Sequence, residues 1–101
     1  MLVETLIAAS LSFESPTPKV LRTYYPPIHY DYPFPGRLIV QWMEPTEVIR
    51  YCPRMGIACV IEIRTGDYCL IAANEEWFHR RDDILRHENG HCNSWPPDHP
   101  R

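Results

Sequence analysis

The sequence is short of several things, and each shortage excludes something. It has no basic excess: ten Lys and Arg stand against thirteen Asp and Glu, a net charge of −3. Nucleic acid gains no electrostatic foothold, so no nucleic-acid partner is expected. It has no membrane-length apolar run. Residues 1–13 (MLVETLIAASLSF) are too few to span a bilayer; no Lys or Arg precedes them and Glu4 interrupts their start, so an intact secretory signal is not evident. The four cysteines, Cys52, Cys59, Cys69 and Cys92, include no CxxC pair, which counts against a cysteine zinc site. At 101 residues the chain can build one modest core.

What is present is concentrated at the C-terminus. His87-Glu88-Asn89-Gly90-His91 is an HExxH pattern. On an α-helix, residues four apart share a face, so two imidazoles at that spacing can hold one metal ion. Glu88 is offset by one position, where it can reach a metal-activated water without ligating the metal. A helix is expected over 75–93: Asn74 is a plausible N-cap followed by Glu75 and Glu76, and Trp77, Ile84, Leu85 and Glu88 fall near helical period. Arg81 and Asp82 are an alternative break between two helices. Gly90 lowers helix stability by about 1 kcal/mol relative to Ala, which makes sense where another group approaches closely.

A catalytic zinc keeps three protein ligands. Pro96 and Pro97 must end the helix, and the turn they force can bring His99 or Asp98 back to His87 and His91. His99 is the expected third ligand, with Asp98 the alternative or an orienting partner. His79 is read as a surface or packing residue, and His29 carries no signal.

HENGHCNSWPPDHP resembles the HExGHxNGWPxDH signature of small zincin-like metallopeptidases of bacteria and their mobile elements. The resemblance covers about fifteen residues, and the cysteine-bearing hairpin before them is similar in a less specific way. It implies a minimal zincin-like fold and zinc peptidase chemistry, and leaves the substrate open. Ser94 replaces the glycine of that pattern, which puts the turn after the helix in question. Pro97 stands where a metzincin has its third histidine, and no methionine follows for a Met-turn.

An even cysteine count in a small domain suggests two disulfides and an oxidising compartment, periplasmic or secreted. Strands at 58–64 and 68–73, joined at Thr65-Gly66-Asp67, make a Cys59–Cys69 bond unfavourable in either hairpin register. Strict alternation puts Cys59, Ile61 and Ile63 on the face that takes the helix, which favours Cys59–Cys92 with Cys52–Cys69. The surviving alternative is Cys52–Cys59 with Cys69–Cys92.

Residues 1–36 read as an N-terminal apolar segment, a helix or a signal remnant, followed by a Pro/Tyr-rich arm. Six of the eleven prolines fall between Pro16 and Pro35, so the arm cannot be helix. It is expected to pack in extended form through its aromatics, with a free linker or a polyproline ligand as the alternatives. Residues 37–101 read as the metal-binding domain. Leu38–Met43 is a third strand, and residues 46–50 suit either a short helix or an extended piece. The expected fold is α+β: a small antiparallel sheet packed on the metal helix.

Two functions fit. One is zinc-dependent hydrolysis of a peptide or protein substrate, with Glu88 as acid–base residue and Tyr30, Tyr32, Tyr51 or Arg86 as possible oxyanion donors. The other is a small binding protein with a structural zinc clamping its tail. A disulfide-stapled module without metal is a third.

Overall fold

The computed structural model describes residues 2–5, 25–53 and 56–101. The elements in chain order are β1 (Leu2–Thr5), β2 (Arg37–Met43), α1 (Pro45–Tyr51), β3 (Ala58–Arg64), β4 (Tyr68–Asn74), a 3₁₀ segment (Glu75–Arg80) and α2 (Arg81–Cys92). The strands form one sheet in the order β1-β2-β4-β3. The class is α+β as expected, but the sheet is mixed. β3 and β4 form the expected antiparallel hairpin, whereas β2 and β4 run parallel, from Arg37 opposite Tyr68 to Met43 opposite Asn74. The cause lies in α1. Pro45 opens it at the first turn, Val48 buries against the sheet, and the chain is carried past β4's position to lay β3 on the outside. β4 then returns through the middle. Its two-sided burial explains its unbroken apolar run, Cys69-Leu70-Ile71-Ala72-Ala73.

The two faces of the sheet have different partners. Leu38, Val40, Cys69, Ile71 and Ala73 pack with Leu85 and Cys92 of α2. Met43 and Ala72 pack on the opposite side with Val48 of α1 and Cys52 just after it. The disulfides follow this division. Cys69 bonds Cys92 and Cys52 bonds Cys59, the pairing that strict alternation disfavoured. The reason is a bulge in β3. Arg64 pairs with Tyr68, but the register shifts between Val60 and Glu62, so Cys59 lies opposite Ala72 rather than Ala73. One extra residue, Ile61, turns Cys59 to the α1 face, while Cys69 keeps the α2 face.

The expected long helix divides at Arg80. Asn74 caps the first piece as read from sequence, its side chain accepting the Glu76 N–H at 2.9 Å. That piece is 3₁₀, and the α-helix proper starts at Arg81. Over Leu2–Thr5 the helix reading gives way to a strand paired antiparallel with β2; residues 6–24, with the rest of the apolar segment and the start of the arm, lie outside the described residues.

The arm from Tyr25 to Gly36 packs along α2. Asn89 is fully buried and holds two backbone groups of the arm: its Oδ1 accepts the Phe34 N–H at 2.9 Å, and its Nδ2 donates to the Tyr32 carbonyl at 2.6 Å. Asn93 donates to the Tyr30 carbonyl at 3.0 Å. Arg86 donates to Asp31 (2.6 Å) and lies over the Tyr25 ring, whose hydroxyl donates to Asp83 at 2.6 Å. Apart from a turn in which the Tyr30 N–H donates to the Pro27 carbonyl, the arm thus satisfies its backbone through helix side chains.

Candidate metal centre

Helix α2 presents His87 and His91 one turn apart, as the i, i+4 spacing requires. The helix stops in a Schellman turn: the Ser94 N–H donates to the His91 carbonyl and the Trp95 N–H to the Gly90 carbonyl, both at 3.0 Å. Ser94 takes φ 80°, the left-handed conformation glycine adopts without strain. Serine thus forms the turn at a cost in local strain. The chain then folds back through Pro96 and Pro97. The His99 N–H donates to the Pro96 carbonyl at 3.0 Å, and His99, also at positive φ, turns its ring to the other two histidines.

The three rings converge through Nε2. His87 to His91 is 3.2 Å, His87 to His99 is 3.1 Å and His91 to His99 is 3.1 Å. A tetrahedral ion with Zn–N bonds of 2.0–2.1 Å separates its nitrogen ligands by about 3.3 Å, so the spacing fits a metal. Hydrogen bonding alone does not account for it. His91 Nδ1 lies 2.7 Å from the Trp95 carbonyl and carries its proton there, which leaves Nε2 as a bare lone pair facing the other rings. Burial holds the His91 pKa below its ordinary value, partly offset by the Trp95 carbonyl, so the ring favours the neutral form that ligation needs. The three histidines together could hold a metal ion. Asp98 is exposed and does not join that group, so of the two expected third ligands it is His99 that the turn brings in. His79 is exposed on the 3₁₀ segment, stacked on Trp77, away from the cluster.

Glu88 is buried, 6% exposed, with Oε2 4.0 Å from His87 Nε2. Burial pushes its carboxyl up to about 8. It therefore stands beside the nitrogen cluster without entering it, and holds a proton more readily than an ordinary carboxylate.

Trp95 organises the site, a role the sequence did not single out. It is 2% exposed and stacks on His91 at 4.8 Å, while the rings of His87 and His99 meet it edge-on. Its carbonyl fixes the His91 tautomer, and its Nε1–H donates to the Pro100 carbonyl at 2.9 Å, pinning the residue after His99. The Trp-Pro pair behind the motif was the available signal. Gly90 has a packing reason too. A Cβ there would overlap the Pro26 ring and lie 3.1 Å from Trp95 Cε3. The close approach expected of this glycine is made by the arm.

The histidines open onto a groove whose opposite wall is β3, including Val60, Ile61 and Ile63, with Trp77 contributed by the 3₁₀ segment. Tyr51 borders this groove, whereas Arg86, the cationic candidate for an oxyanion donor, is committed to Asp31. Among the described residues no helix is long and apolar enough to cross a membrane. No protein-family model matches the chain, and no curated protein and no solved structure matches it.

Proposed function

We propose that the protein is a zinc-dependent peptidase of minimal zincin-like build, hydrolysing peptide bonds with a metal-activated water. The observation that carries this reading is the composition of the cluster: among the described residues three imidazoles converge, no fourth protein donor joins them, and a buried carboxylate stands beside them. Three ligands is the count of a catalytic zinc, whereas a structural site closes with four. His87, His91 and His99 hold the ion, which when bound supplies Lewis acidity to a water and to a carbonyl. Glu88 takes a proton from the attacking water as the C–O bond forms. It returns that proton to the amine as the C–N bond breaks. Its burial beside the three imidazoles places one carboxyl group to do both.

The setting supports the same reading. β3 lies at the end of the sheet, paired with β4 on one side, and borders the groove onto which the histidines open. An extended polypeptide can add to such an edge through main-chain hydrogen bonds. Two disulfides suit an oxidising compartment, periplasmic or extracellular. The test compares zinc content and cleavage of a general protein substrate for the wild type, Glu88→Gln and His91→Ala. Glu88→Gln is expected to keep zinc and lose hydrolysis, and His91→Ala to lose both. Tight zinc binding by a wild type that cleaves nothing would instead favour the small binding protein with a structural zinc.

A further inference from the structure

We propose that the groove beside the histidines takes an extended peptide bearing bulky apolar side chains and a basic residue, with Ile61, Ile63 and Trp77 as its specificity-determining side chains. This deepens the peptidase reading and rests on it. Ile61 is 37% exposed, Ile63 42% and Trp77 39%, and all three line the groove. Exposed isoleucines on an outer strand are a liability, because they invite pairing with other chains. Here they face the only histidine cluster among the described residues. Apolar surface gathered at one place in this way marks a binding site rather than scattered exposure.

The charges around the groove name the second half of the ligand. Besides buried Glu88, three carboxylates line it, on Glu62, Asp83 and Asp98, against one guanidinium, Arg80. Arg80 is already paired with Asp83 at 3.0 Å. Glu62, whose Oε1 accepts from the Tyr68 hydroxyl at 2.8 Å, and Asp98 are exposed, and each keeps a carboxylate oxygen for a cation from the ligand. A peptide with Lys or Arg near its apolar residues is complementary to those two carboxylates, and one with Asp or Glu there is not.

The same features argue against a second copy of the chain as the occupant. Pairing two β3 edges about a two-fold axis would bring Glu62, near the middle of the strand, toward its own counterpart.

The test has two arms. In the first, the zinc-loaded protein digests a mixed peptide library and the products are read by mass spectrometry. Cleaved sequences should be enriched in Leu, Ile and Phe beside the scissile bond and in Lys or Arg nearby, and depleted in Asp and Glu. On the best peptide, Ile61→Ser/Ile63→Ser and Trp77→Ser should each raise KM about tenfold with a smaller change in kcat, since each removes apolar contact without touching the histidines or Glu88. In the second arm, zinc-loaded Glu88→Gln is titrated with a fluorescent heptapeptide of Leu, Phe and Lys and with its Asp-for-Lys counterpart. The first should bind at least about tenfold more tightly. Cleavage or binding without this side-chain bias overturns the inference and leaves the peptidase reading standing. Biased binding with no cleavage of any peptide supports the groove and defeats the peptidase. Neither binding nor cleavage defeats both, and a dimer dispersed by Ile61→Ser/Ile63→Ser would show the edge to be a self-association surface instead.

Discussion

Gly90→Ala sets two effects against each other at the centre of the motif. In an isolated helix the change is favourable by about 1 kcal/mol, because alanine holds helical dihedrals at lower entropic cost. Here the new Cβ would lie 2.7 Å from Pro26 Cβ and nearer still to the rest of that ring. Ordinary carbon contacts are about 3.5–4.0 Å, so the arm would have to retreat by about 1 Å. It is not free to do so. Asn89, one residue away, holds Phe34 N–H at 2.9 Å and the Tyr32 carbonyl at 2.6 Å. Losing or stretching those two bonds costs about 1 kcal/mol each, and overpacking adds about 1–3 kcal/mol. Strain therefore wins, and the net destabilisation is about 2–4 kcal/mol. For a domain of this length that lowers Tm by about 10 °C or more. Thermal unfolding of the metal-free protein, followed by circular dichroism, reads it without interference from zinc binding. Pro26→Gly should relieve the overlap, so that Gly90→Ala in that background becomes neutral or stabilising, a coupling of at least about 2 kcal/mol. A Gly90→Ala protein that melts at or above the wild-type temperature would refute the packing of the arm against α2.

Three further outcomes follow from the site. Ser94→Gly should stabilise by about 1 kcal/mol, because φ 80° suits glycine and strains serine; an unchanged or lower Tm would count against the left-handed turn. Trp95→Phe keeps an aromatic ring on the histidines but loses the Nε1–H to Pro100, so zinc affinity measured by chelator competition should fall about tenfold; wild-type affinity would show that His99 is positioned by other contacts. Glu88 gives a pH signature in the metal-free protein. Its folded pKa of about 8 lies above the ordinary 4.5, so between these values the folded state binds the extra proton, and stability is greatest at low pH and falls as pH rises through about 8. Urea midpoints for wild type and Glu88→Gln at several pH values should show that slope only in the wild type; parallel curves would place the Glu88 carboxyl in water.

Much of the site was legible because its spacing is local. The i, i+4 histidines, the offset glutamate and the proline stop all act within one helix and its end, where sequence separation translates directly into geometry. The fold was legible as strands and a helix for the same reason, since the apolar face of β2 and the doubly buried β4 leave their pattern in the residues. Asn74 likewise announced where the 3₁₀ segment begins.

The tertiary structure decided the matters that depend on what lies across from a residue. Strand order is one: a helix as short as α1 can deliver β3 to either side of β4, and the sequence between them carries no mark of which. The disulfide pairing is another, reversed by the single extra residue at Ile61, because a period of two converts any insertion into a change of face. The third is Trp95. Its identity is plain in the sequence, but its carbonyl on His91, its indole on Pro100 and its ring against three imidazoles arise only once the Schellman turn has brought the tail back over the helix. The sequence by itself determined which imidazoles are candidates to hold a metal. The fold determined that the third comes from His99, that the arm fills the space beside Gly90, and that a groove with an apolar strand wall lies open beside them, since each of these is a contact between segments far apart in the chain.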